Sequence, residues 1–279
     1  MRLNSIFRPR CLRLFSSAAL PASALKRPNR FYKKVEVREV DKENEVLLSA
    51  GKSFGVFLDG RSLRTPLGRG FSAPEPLALA VAQEWESQVD VVRMETMHLT
   101  GLSFTSIDNP CQETSDSSVS KLLSFLQTDT LLYFAEPLTT FSDVQQKYWA
   151  PVIQFANHRF GLSLCPVESA VAQPELTPDT LHSMERHLFG LQNTFPSLIG
   201  ILYGTESVKS LLIMLATLEH YLDVDTAVRL SRLEQIHQTK VWGNVEWAHD
   251  VEHNEQCVRL AASVLFSRCF SFPSSFANA

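Results

Sequence analysis

The sequence predicts an α+β protein in which a small N-terminal sheet-plus-helix domain precedes an all-helical C-terminal domain. Three observations carry that prediction. Residues 31–71 hold short β-type runs around an Asp59-Gly60 hairpin signal. From Ser117 onward most segments repeat their apolar residues at steps of three and four. Between them, residues 112–118 are polar and poor in large side chains, which marks a boundary. The expected organisation is a basic leader at 1–30, a small α+β domain at 31–115, a helical domain at 116–272 and a frayed tail at 273–279.

In the first domain, Val35, Val37 and Val40 alternate and Phe54-Gly55-Val56-Phe57-Leu58 leads into the hairpin. Ser62-Leu63-Arg64-Thr65 returns, and Pro66, Gly68 and Gly70 stop it. Ser72-Ala73-Pro74-Glu75 reads as a capping box that opens a helix through Gln88. Its buried face is Leu77, Ala78, Val81, Ala82 and Trp85; Trp85 is therefore expected as structural support. A further helix spans 97–108, closed by Asn109-Pro110. Beyond the boundary, helices are expected at 118–127, 141–160, 178–191, 195–203, 207–222, 226–241 and 245–270. Extended pieces at 131–134 and 162–164 interrupt them.

Charge divides the chain unevenly. The first 34 residues carry nine Lys and Arg and no acid, spaced among Ser, Ala and Leu without a long apolar centre. That composition is a mitochondrial presequence rather than a secretory signal. From residue 35 on, 26 − 9 = 17 basic residues face 30 acidic ones, a net charge of −13. So acidic a protein lacks the clustered Lys and Arg that phosphate contacts need, which argues against nucleic acid as a partner. No apolar run is long enough for membrane insertion. The five cysteines have no C-x-x-C spacing, and free thiols account for them most simply.

Residues 240–250 form the corner on which the second domain turns. Gly243 is expected to end one helix at positive φ and Asn244 to cap the next. Trp242 and Trp247 flank the corner, with Glu246, His249 and Asp250 beside them. An αα-corner with core tryptophans and capping acids explains the composition; so does a recognition surface, since tryptophan beside acid is typical of partner-binding hot spots. His249-Asp250-Val251-Glu252-His253 also fits the H-x-x-E-H pattern of zinc hydrolases, but the usual third ligand is missing. No phosphate-cradling glycine pattern is present, and no cofactor is expected.

The run Ser231-Arg232-Leu233-Glu234 followed by Trp242-Gly243-x-Val245-Glu246-Trp247-Ala248-His249-Asp250 resembles the mitochondrial ATP synthase F-one complex assembly factor 2 family. Matching blocks are Asp59-Gly60-Arg61-Ser62-Leu63-Arg64-Thr65-Pro66, Ala82-Gln83-Glu84-Trp85-Glu86-Ser87-Gln88, Met97-His98-Leu99-Thr100, Ile107-Asp108-Asn109-Pro110 and Thr128-Asp129-Thr130. The resemblance runs from about Phe31 to about Phe266. The resemblance implies a non-catalytic chaperone of the mitochondrial matrix that binds the free alpha subunit of ATP synthase and shields its beta-facing interface. It makes Glu234, Glu246, Trp247, His249 and Asp250 the expected client-binding residues, with Trp85, Trp242 and Gly243 as structural support and no metal. The alternative is a zinc-dependent hydrolase built on His249, Glu252 and His253.

Overall fold

The computed structural model describes residues 28–41, 47, 52–137, 139–168, 172–190, 194–243 and 247–271; residues 1–27 of the expected leader and the expected tail lie outside them, while residues 28–30 pair with residues 90–92. A three-stranded antiparallel sheet is followed by helices, the predicted α+β class. Strand β1 (Val35–Val40) pairs with β2 (Ser53–Leu58) in the register Val35 to Leu58 and Val40 to Ser53. The short β3 (Arg61–Ser62) returns beside β2. Asp59 and Gly60 both take positive φ, 48° and 80°, the two-residue turn whose twist matches its strands. The Asp59 carboxylate also accepts the backbone N–H groups of Lys33 and Lys34, which ties the turn to the start of β1 and lowers its pKa.

Helix α1 (Glu75–Glu86) covers this sheet through Leu77, Ala78, Val81 and Trp85. The expected capping box does not form. Pro74 occupies the cap position without a side-chain hydrogen bond, and the helix stops two residues before Gln88. Helix α2 (His98–Asp108) is capped from outside. Half-buried Glu84 of α1 accepts the N–H groups of Leu99 and Thr100, each at 2.8 Å, and the Thr100 hydroxyl at 2.7 Å. A carboxylate at a helix N-terminus meets the positive end of the dipole, although burial still raises its pKa. Asn109 then ends α2 in the left-handed conformation. Asp108 accepts from the Thr65 hydroxyl (2.6 Å) and the Leu67 N–H (3.2 Å), fastening the helix to the loop after β3.

The helical part comprises α3 (Ser115–Gln127), α4 (Thr140–Tyr148), α5 (Ala150–Phe160), α6 (Pro178–Gly190), α7 (Phe195–Val208), α8 (Leu211–Leu218), α9 (Val224–Ser231), α10 (Leu233–Trp242) and α11 (Ala248–Ser271). Two helices read as continuous are divided. Trp149 separates α4 from α5, buried with its indole N–H 3.0 Å from the Leu230 carbonyl oxygen, and Pro151 opens α5. Arg232 likewise separates α9 from α10. Buried Asp129 accepts from the Leu131 N–H, the Ser210 hydroxyl and the Leu212 N–H, joining the loop after α3 to the first turn of α8.

Helix α11 crosses both hydrophobic clusters: Leu260 belongs to the helical one, while Ala262, Phe266 and Phe270 belong to the one under the sheet. Close approach to α7 depends on small residues. A β-carbon on Gly200 or Gly204 would come within 2.3 Å of the Ser267 or Ser263 hydroxyl oxygen. Cys165, Cys257 and Cys269 are free thiols.

Candidate functional site

The α9–α10–α11 corner is built around Arg232, whose side chain is 8% exposed. Its Nε donates to Gln235 Oε1 at 2.7 Å, Nη1 to the His249 carbonyl oxygen at 3.0 Å and Nη2 to Glu252 Oε2 at 3.0 Å. Gln235 Nε2 donates to the same Glu252 oxygen at 3.3 Å. A planar guanidinium with its donors spread in a fork suits three acceptors on two helices. Around it lies an open polar depression of about 400 Å³, lined by Ser231, Arg232, Glu234, Gln235, Gln238 and Glu252. Glu234 faces outward and accepts from Gln238 Nε2 at 3.1 Å, one turn along its own helix.

The tryptophans of the corner are not core. Trp242 is 85% exposed and Trp247 80% exposed, so neither lies in a buried cluster. Trp242 therefore gives no packing support, contrary to expectation. The reason is its position in the last turn of α10, where nothing among the described residues covers it. Trp247 holds a positive φ of 71° immediately before α11, a conformation that is uncommon outside glycine. Asp250 is exposed and His249 half-buried on the first turn of α11. Glu246 lies outside the described residues. Gly243 takes φ 87° and ψ 163°, a region open essentially to glycine, and donates its N–H to the Thr239 carbonyl at 2.9 Å. Trp85 is buried against Tyr32, whose hydroxyl donates to the Trp85 carbonyl at 2.6 Å.

An exposed apolar stripe continues from this corner. Val251, Val258 and Leu265 are exposed along α11 at seven-residue intervals, drifting only about 20° per step around the helix. Trp247 precedes them by one turn. A helix expected over 245–270 would ordinarily bury such an apolar face, but this one is turned outward. The buried face is instead Leu260, Ala262, Ser263, Phe266, Ser267 and Phe270. Its serines are polar in type and were hidden from a hydrophobic pattern; the glycines of α7 at the matching contacts are the signal that could have found them.

The H-x-x-E-H reading separates into unrelated contacts. Glu252 is ion-paired with Arg232, and His253 Nε2 turns to Asp225 Oδ1 at 2.9 Å on α9. Glu252 is thus held as a structural acceptor, and no paired-histidine zinc centre with a free base results.

Comparison with known proteins is consistent along the chain. The family model described as ATP12 chaperone protein matches residues 29–157. Protein atp12, mitochondrial, of Schizosaccharomyces pombe is 28% identical over 273 residues, covering 93% of this chain and 89% of its own. Protein ATP12, mitochondrial, of Saccharomyces cerevisiae is 24% identical, with 82% and 81% covered. The crystal structure of Atp12 from Paracoccus denitrificans superposes with a TM-score of 0.73 at 24% identity, covering 87% of this chain and 98% of that one. A chaperone-titled structure from Agrobacterium tumefaciens, Atu1473, gives 0.76 at 25% identity, with 86% and 85% covered. No helix among the described residues is long and apolar enough to cross a membrane. Family model, relatives and fold agree: along most of its length the chain is similar to ATP12 chaperone proteins.

Proposed function

We propose that this chain acts in the mitochondrial matrix, where it binds the free alpha subunit of ATP synthase and covers the surface that alpha later presents to beta. The observation that carries the reading is the outward stripe of Trp247, Val251, Val258 and Leu265 beside the acidic rim of Glu234, Asp250 and Glu252. Subunit interfaces awaiting a partner are apolar and aggregation-prone, so a holding protein needs apolar surface of its own. Charged residues at the edge favour rapid encounter and allow displacement when the final partner arrives. Glu234, Trp247, His249 and Asp250 are the client-binding residues of this proposal, with Glu246 joined to them by sequence position. The division of the chain after residue 115 and the import leader at 1–30 belong to the same reading.

The test is co-expression of the alpha subunit with the wild-type chain or with a Trp247→Ser, Val251→Ser double variant. Wild type should keep alpha in the supernatant and co-purify with it. The variant should leave alpha in the pellet while melting within about 2 °C of wild type, as surface changes do. Alpha that pellets equally with and without the wild-type chain defeats the proposal. A chain lacking residues 1–30 should remain outside the organelle in an import assay; normal import would remove the leader from it.

A further inference from the structure

Beside the corner, three ligand-type atoms from two helices converge. Asp225 stands in the first turn of α9, and His253 and Cys257 stand one turn apart on α11. His253 Nε2 lies 2.9 Å from Asp225 Oδ1 and 3.5 Å from Cys257 Sγ, and all three atoms fall within 4.8 Å of one another. The second Asp225 oxygen, Oδ2, is held by Arg229 Nε at 2.7 Å, which orients the carboxylate and leaves Oδ1 directed at the histidine.

The shared nitrogen distinguishes what this cluster can do. A catalytic relay needs one imidazole nitrogen on the thiol and the other on the carboxylate. Here Nε2 faces both, so no proton can be handed from Cys257 through the ring to Asp225. Nε2 carries either one proton or one lone pair, and it cannot serve both neighbours well as a hydrogen-bonding group. A metal ion at the point of convergence serves all three atoms at once.

We propose that Asp225, His253 and Cys257 form a zinc site that staples α9 to the first half of α11. Bond lengths of about 2.3 Å to sulfur and 2.0–2.1 Å to nitrogen in a tetrahedral shell put S and N roughly 3.6 Å apart, and N and O roughly 3.3 Å apart. The observed S···N separation of 3.5 Å meets the first value. The Asp225 oxygen at 2.9 Å would withdraw by a few tenths of an ångström, which an exposed side chain does easily. Thiolate with imidazole favours zinc over magnesium or calcium, which take oxygen ligands. Three protein ligands leave a fourth position for water on the exposed side. Residues 225 and 253 are far apart in sequence, which is why the sequence reading, confined to H-x-x-E-H, assigned no metal.

The staple would fix the segment of α11 that carries His249, one turn before His253, and Glu252, next to it. The test uses full-length protein without a histidine tag, stripped with chelator and titrated with zinc alone and cobalt(II) alone. Wild type should take up about one zinc per chain, and with cobalt it should show a thiolate-to-metal charge-transfer band and intense tetrahedral d–d bands. Zinc at a hundredfold excess over its dissociation constant should raise the melting temperature by about 5 °C. Cys257→Ser and Asp225→Asn should lose the cobalt band or the stoichiometry, and Cys165→Ser should keep both. Wild type with no thiolate band overturns the site, as does a Cys257→Ser protein that binds equally. Because the cobalt spectrum is read on wild type, a variant that fails to fold does not rescue the proposal.

Discussion

Arg232 Nη1 lies 3.0 Å from the carbonyl oxygen of His249, so the residue that divides α9 from α10 also fixes the first turn of α11. Replacing it by methionine keeps much of the side-chain volume and removes all three donated hydrogen bonds. The His249 carbonyl, Gln235 and the partly exposed Glu252 would lose a charged donor. A loss of about 2–3 kcal/mol is expected, read as the midpoint shift in a urea melt. A variant as stable as wild type would show that the guanidinium merely rests in the corner.

Glu234 should behave in the opposite way. It is exposed and its hydrogen-bond partner is Gln238 on its own helix, a pair worth at most about 0.5 kcal/mol. Glu234→Gln should therefore melt almost as wild type does, yet protect alpha less well in the sedimentation assay. The wild-type protection itself should weaken as salt rises. Undiminished protection by the folded variant would exclude this residue from client binding.

Trp85→Arg should damage the fold before any binding surface. The indole is 6% exposed between α1 and Tyr32, and a guanidinium there must be buried without a partner or expel the helix. A cost on the order of 3–5 kcal/mol follows. Soluble, cooperatively melting protein at wild-type yield would contradict the packing.

Asp129 gives a pH dependence with a defined sign. Burial pushes its carboxyl up to about 6, even though three donors point at it. The unfolded value is about 4. Between the two, the folded chain holds the proton more tightly, so this contribution is full below about pH 4 and lost as pH rises through 6. Asp129→Asn cannot titrate. The stability of wild type relative to that variant should grow by about 1 kcal/mol from pH 7 to pH 5. Melts of the two proteins at both pH values decide it, and a difference that shrinks toward pH 5 would refute the assignment.

Much of the N-terminal sheet and its covering helix was legible because its signals are local. Asp59-Gly60 specifies its own turn, and Leu77, Val81 and Trp85 repeat at the helical period. Several matched blocks also acquire a physical reason once folded. Glu84 of one block caps the helix opened by His98-Leu99-Thr100 of another, and Asp108 fastens to Thr65 of a third. What the sequence hid was contact between distant residues. A buried arginine ends a helix at residue 232 by serving acceptors twenty positions away, and Ser263 and Ser267 are buried because glycines on α7 admit them. Trp242, expected as structural support, misled in the same manner, since composition favours the interior and only the fold shows it exposed.

Helix α11 is consequently held in two different ways along its length. Its buried positions begin at Leu260 and continue through Phe270, clamped against α7, whereas none of residues 248–259 is fully buried. At 1.5 Å per residue that first half is about 18 Å long. It is fastened to α9 and α10 mainly through the polar contacts of Arg232 and Asp225. Amide hydrogen exchange should divide the helix near residue 260, faster by local opening on one side and close to globally protected on the other. Load applied by a bound partner would then strain those polar contacts before either hydrophobic cluster.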